Sequence, residues 1–186
     1  MAKSALLVMD VQQSIVDNMK NPDEYLSRVK SAVVTAHENG VLVIYIVVRF
    51  RKGYPEVSPN NMMFNAIRER FTSISMDVDG PATRPVITPK EGDLVIAKKR
   101  VSAFAGSDLE MVLGAQRIDE LVLCGIATSG VVLSTLRYAA DKDFKITVLS
   151  DCCSDQDEEV HRVLTEKLFH RQAAVMTAEE WGGGLK

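Results

Sequence analysis

The chain has 186 residues, 46% of them hydrophobic, with 22 basic and 25 acidic side chains and a net charge of −3. That length fits one domain of about 100–200 residues, and the apolar share is too large for a disordered chain. No basic stripe points to a nucleic-acid partner, and the longest apolar run, Val41–Val48, falls far short of the roughly 20 residues of a membrane span.

The first apolar stretch, Ser4–Met9, reads as a strand and is too short for the core of a signal peptide, which takes about 7–15 residues. Leu26, Val29, Val33 and Ala36 follow helical spacing, and Gly40 fits the end of that helix. A second strand covers Val41–Val48, and Met62, Ala66 and Ile67 suggest a short extra helix. Asp93–Ala97 is the third strand, and Leu109, Val112 and Leu113 form a helix expected to stop at Gly114. Leu121–Cys124 precedes a helix marked by Val132, Leu133, Leu136, Ala139 and Ala140. Lys145–Leu149 precedes another, with Val160, Val163, Leu164 and Leu168 behind the cap-rich segment Ser154-Asp155-Gln156-Asp157. Ala173–Met176 is the last strand.

Near-continuous apolar strands alternating with amphipathic helices predict an α/β architecture: a six-stranded, mainly parallel sheet covered on both faces. Ligands of such sheets bind beyond the carboxyl ends of the strands. Arg49–Asn60 and Thr72–Gly92 are long connections of the kind that carry function or assembly surfaces.

Three strand ends carry chemistry. Asp10 follows five apolar residues, a position that favours the neutral carboxyl unless a cation lies nearby, so it suits acid or base work as well as a local cap. The third strand ends in Lys98-Lys99-Arg100, one of which is placed to supply that cation. Gly125-Ile126-Ala127-Thr128-Ser129-Gly130-Val131 is a strand–turn–helix whose amides suit an anion or oxyanion. Three unpaired cysteines, Cys124, Cys152 and Cys153, fit a reducing, cytoplasmic setting. The histidines His37, His161 and His170 are scattered, so no metal is expected, and His161 reads as a hydrogen-bonded structural residue.

Together these segments resemble the isochorismatase-like superfamily of cysteine hydrolases. The matching pieces are the strand to Asp10 with Gln12, the run Lys98-Lys99-Arg100-Val101-Ser102-Ala103-Phe104, the turn Gly125–Thr128, and Asp157 to His161. The resemblance spans nearly the whole chain and implies a Rossmann-like three-layer α/β/α sandwich in one domain, assembled as a homo-oligomer. Of the catalytic aspartate, lysine and cysteine, it places the first two at Asp10 and Lys98 and finds Val131 where the nucleophile stands. It also implies a cis peptide at Ile126–Ala127. No Asp-x-His metal pair follows Val48, and no cofactor is implied.

A valine cannot start covalent catalysis. The resemblance therefore points to a hydrolase of a small, anionic metabolite that works by Asp10 and Lys98 acid–base chemistry, as in cleavage of a vinyl ether. In that reading Lys98 also positions substrate carboxylates, and Gln12, Arg49, Phe104, Ala127 and Thr128 bind the substrate or its negative charge, with Phe50 and Tyr54 in the wall. The alternatives are a small-molecule binder or scaffold without turnover, amide hydrolysis by a water on Asp10, and a nucleophile relocated to Cys152 or Cys153.

Overall fold

Apolar runs become the six strands of one sheet in the computed structural model, which describes residues 3–70 and 80–185. They are β1 (Ser4–Met9), β2 (Leu42–Val48), β3 (Leu94–Lys98), β4 (Glu120–Ile126), β5 (Lys145–Ser154) and β6 (Ala174–Met176). Their order is β3-β2-β1-β4-β5-β6, and every pairing is parallel. The helices are α1 (Gln13–Val16), α2 (Pro22–Glu38), α3 (Met62–Arg70), α4 (Leu109–Gln116), α5 (Leu133–Ala140), α6 (Glu158–Val163) and α7 (Ala178–Gly183).

Alternation along β1 sorts the core into two apolar layers. Ala5, Leu7 and Met9 pack with α4 and α5 through Leu109, Leu113, Leu136 and Ala139. Leu6 and Val8 pack on the opposite face with Tyr25, Val29 and Val33 of α2 and Trp181 of α7. Each large aliphatic side chain buried this way contributes about 1.5–3 kcal/mol relative to leaving it in water. The result is the expected three-layer α/β/α arrangement. A third, smaller cluster joins Val48, Phe50, Val57 and Phe64, which buries Phe64 and leaves Met62 and Met63 of α3 exposed.

Several expectations are corrected. α4 runs past Gly114 and is closed by Arg117 in the left-handed conformation, φ 57°. β5 extends five residues beyond Leu149, to Ser154, with an irregularity in its pairing to β4 between Leu123 and Gly125. Five-residue π-helical turns precede α5 (Thr128–Val132) and follow α6 (Leu164–Leu168). α1 and α7 carry no expectation from the sequence, although Thr177 and Glu180 form a reciprocal cap at the start of α7. Residues 72–79 of the second long connection lie outside the described residues. Among those described, no helix is long and apolar enough to cross a membrane.

Candidate active site

β1 and β4 lie side by side in the middle of the sheet, with Met9 opposite Gly125. The chain leaves β1 toward the α2 layer and β4 toward the α5 layer, so a crevice opens between their carboxyl ends. Asp10 stands at that point. Its amide donates to Ile46 O at 2.8 Å, and its φ of 58° lies in the left-handed region that aspartate tolerates better than most residues.

Lys98 ends β3, two strands away, with β2 between. Two strand spacings are about 9.5 Å, a gap that a long flexible side chain can cross. Its ammonium lies 2.8 Å from Asp10 Oδ2, with the two side chains 1% and 7% exposed. The ammonium also donates to Val101 O at 2.7 Å and Arg100 O at 3.1 Å. An ammonium has three N–H bonds, so all of them are taken. Lys98 therefore has no donor left for substrate carboxylates, and its expected part in positioning them is replaced by that of a fixed counter-charge for Asp10.

Burial pushes the Asp10 carboxyl up from 3.8 to about 6 against the opposing pull of Lys98. Its second oxygen, Oδ1, is buried and takes no hydrogen bond from the described residues. One oxygen is thus held by the lysine, while the other is buried without a partner among the described residues.

The turn after β4 closes the crevice. The Ile126–Ala127 peptide is cis, as the resemblance implies. Ala127 O accepts from Gly130 and Val132 N at 3.1 and 3.3 Å. Thr128 is fully buried, with Oγ1 2.8 Å from His161 Nδ1, and the Ser129 amide donates to Asp155 Oδ2 at 2.7 Å. Thr135 of α5 accepts from the Ala103 amide at 2.9 Å, and a Cβ on Gly130 would touch Val101 at 3.9 Å. The β3 loop that holds Lys98 is thus packed against the turn that carries Val131. Val131 is buried within the α4–α5 apolar layer.

The other sequence-derived candidates divide. Gln12 is fully buried and spends its amide on the backbone: Oε1 accepts from Val48 N at 2.8 Å, and Nε2 reaches Val48 O at 3.4 Å and Ala82 O at 3.5 Å. It braces the loops in place of offering that amide to a substrate. Phe104 is buried in the α4–α5 layer, its ring stacked on Tyr138 at 4.6 Å and near Phe144. Phe50 packs on Tyr54 and Phe64. Arg49 directly follows β2, and its amide donates to Lys98 O at 3.3 Å.

The cysteines are unsuited to nucleophilic work. Burial raises the thiols of Cys124 and Cys152 well above the ordinary range and pushes Cys153 up to about 12. His37 lies in the last turn of α2, 2.8 Å from Asp93. Among the described residues, no three His, Cys, Asp or Glu side chains are grouped to hold a metal. The contacts of His161 with Thr128 and of Asp155 with Ser129 join residues 33 and 26 apart, and no local pattern announces them.

The family model of the isochorismatase domain matches residues 4–180. A probable isochorismatase from Pseudomonas chlororaphis is 31% identical over 186 residues, covering 96% of this chain and 84% of that protein. A maleamate amidohydrolase from Pseudomonas putida (strain KT2440) is 25% identical over 189 residues, with 96% and 84% covered. The crystal structure of a cysteine hydrolase from Pseudomonas syringae pv. phaseolicola 1448A superposes with a TM-score of 0.88 at 19% identity, covering 98% of this chain and 92% of that one, and bears on the fold alone.

Proposed function

Because the chain belongs to the isochorismatase family of hydrolases, we propose that it hydrolyses a small anionic metabolite by acid–base chemistry at Asp10 and Lys98, without a covalent cysteine intermediate. The observation that carries this reading is the divided carboxyl: Oδ2 is held by Lys98, while the buried Oδ1 takes no hydrogen bond from the described residues.

A vinyl ether fits that arrangement. The Asp10 carboxyl gives its proton to the enol-ether carbon, leaving an oxocarbenium ion and a carboxylate. Lys98 stabilises the carboxylate. Water adds to the cation and returns a proton to Asp10, and the hemiketal collapses to a ketone and an alcohol. A group at about 6 is matched to such transfers near neutral pH. In this reading Arg49 and the amides near Ala127 and Thr128 take the substrate's negative groups, and the exposed Met62 and Met63 support a homo-oligomer.

Isochorismate and maleamate are the probes, one a vinyl ether and the other an amide. The expected result is turnover of isochorismate that falls at least about 100-fold in Asp10→Asn, the loss typical of a missing general acid. Unchanged turnover in that variant overturns the role of Asp10. The placement of Val131 in the apolar layer favours a second reading, a binder without turnover. Tight binding of a probe with no product would establish it.

A further inference from the structure

The turn Ala127–Val132 is gripped from outside by the segment that follows β5. Asp157 caps α6 by accepting from the Glu159 and Val160 amides at 2.9 and 3.2 Å, which fixes the start of that helix. One turn later α6 presents His161, whose Nδ1 lies 2.8 Å from Thr128 Oγ1. Asp155, just ahead of the cap, takes the Ser129 amide at 2.7 Å. Two neighbouring residues of the turn are therefore pinned by one short stretch of chain.

Thr128 is fully buried, so its hydroxyl cannot turn to bulk water for another partner. A hydroxyl has one donor and two acceptor directions, and a bond to an imidazole nitrogen removes one and orients the rest. Burial holds the His161 ring below its ordinary pKa against the opposing pull of Asp155 and Glu166, which favours the neutral ring at pH 7. His161 also lines an open groove of about 370 Å³, shared with Arg162, Thr165 and Glu166.

We propose that His161 is a positioning residue for the hydrolase reaction, acting through Thr128 to fix the direction of its hydroxyl and the alignment of the turn beside Asp10. The proposal rests on the functional reading above. It separates His161 from a residue that merely holds α6 in place, because its effect must pass through one atom, Thr128 Oγ1.

The test is a double-mutant cycle in the full chain, with isochorismate as probe and thermal unfolding as control. His161→Ala is expected to lower kcat about 10–100-fold, the scale of a misplaced reacting geometry, with KM little changed. His161→Asn, whose amide lies near the position of Nδ1, is expected to restore most of that loss, and His161→Gln is not. In a Thr128→Val background, His161→Ala is expected to have no further effect on kcat. Equal losses in both backgrounds, or a lower melting temperature with kcat intact, overturn the proposal. A wild-type chain that binds isochorismate without product overturns the hydrolase reading instead, and the same cycle is then read in Kd. Independently of activity, Thr128→Val must shift the His161 Nδ1 resonance; an unmoved resonance removes the contact and the proposal with it.

Discussion

A methyl group on Gly125 would stand 2.1 Å from the carbonyl oxygen of Met9, so β4 and β1 meet there with no room for a side chain. Gly125 also has a φ of 148°, outside the range comfortable for L side chains. The close approach falls between Asp10 and the turn at Ala127. Gly125→Ala is expected to cost at least about 3 kcal/mol, the range of severe backbone and packing conflicts. Urea unfolding measures it, and a loss below about 1 kcal/mol would mean the strands separate easily.

Lys98→Met leaves the Asp10 carboxylate buried without its counter-charge. Breaking a buried pair from one side costs about 3–5 kcal/mol. Lys98 opposes the upward effect of burial on Asp10, so its removal raises that carboxyl beyond about 6. The destabilisation is therefore greatest at alkaline pH and shrinks in acid, where Asp10 is neutral. Urea midpoints at pH 5 and pH 8 report the difference.

The Asp10 carboxyl also sets a pH dependence. Its proton is held more tightly in the folded chain, at about 6, than in the unfolded chain, where the carboxyl sits at 3.8. The stabilisation is complete below pH 3.8 and disappears as the pH rises through about 6. The interval is worth about 3 kcal/mol at about 1.4 kcal/mol per pH unit. Asp10→Asn lacks this slope, and the difference between the two stability curves exposes it. In turnover, an acid role makes kcat/KM fall above about pH 6; a rise through that pH would make Asp10 a base.

Gln12→Leu tests whether that amide serves the backbone or a substrate. Losing Oε1 strands the Val48 amide, which costs about 1–3 kcal/mol for a buried unsatisfied donor. Stability is expected to drop by that amount with KM unchanged. A tenfold rise in KM at unaltered stability would restore Gln12 to substrate binding.

Val131→Cys puts a thiol where the family resemblance locates the nucleophile. The change removes little volume and is expected to cost less than about 1.5 kcal/mol. The expected gain is hydrolysis of maleamate, read as released ammonia. A variant that folds and is alkylated by iodoacetamide yet leaves maleamate intact would show that the remaining groups do not support amide chemistry.

Much of the fold was legible because the strands are covered on both faces, which makes their sequences nearly continuous in apolar residues. β1, buried from Ala5 to Met9, shows its observed bounds in the sequence for that reason. The apolar signal of β5 stops at Leu149 because Ser150 and Asp151 carry none, although their backbone continues the strand. α1, with four residues and no side-chain cap, has too little pattern to detect. At the site, Asp10 stands out as a charged residue ending an apolar strand, whereas only the family resemblance singles out Lys98 from Lys98-Lys99-Arg100. The saturation of Lys98 is hidden, because Val101 and Arg100 accept through backbone carbonyls, which every residue has. The engagement of the Gln12 amide with the backbone is equally hidden, because sequence shows which side chains lie near a strand end and not where they point.

The widened helical turn from Thr128 to Val132 sets the rotation of everything that follows it. An α-helix advances about 100° per residue, so deleting a single residue there would swing α5 by more than a quarter-turn. Leu136 and Ala139 would leave the sheet, and Thr135 would lose Ala103. The spare residue thus acts as an angular spacer, and shortening the loop by one would disengage the helix from the sheet even with every side chain at the catalytic end intact.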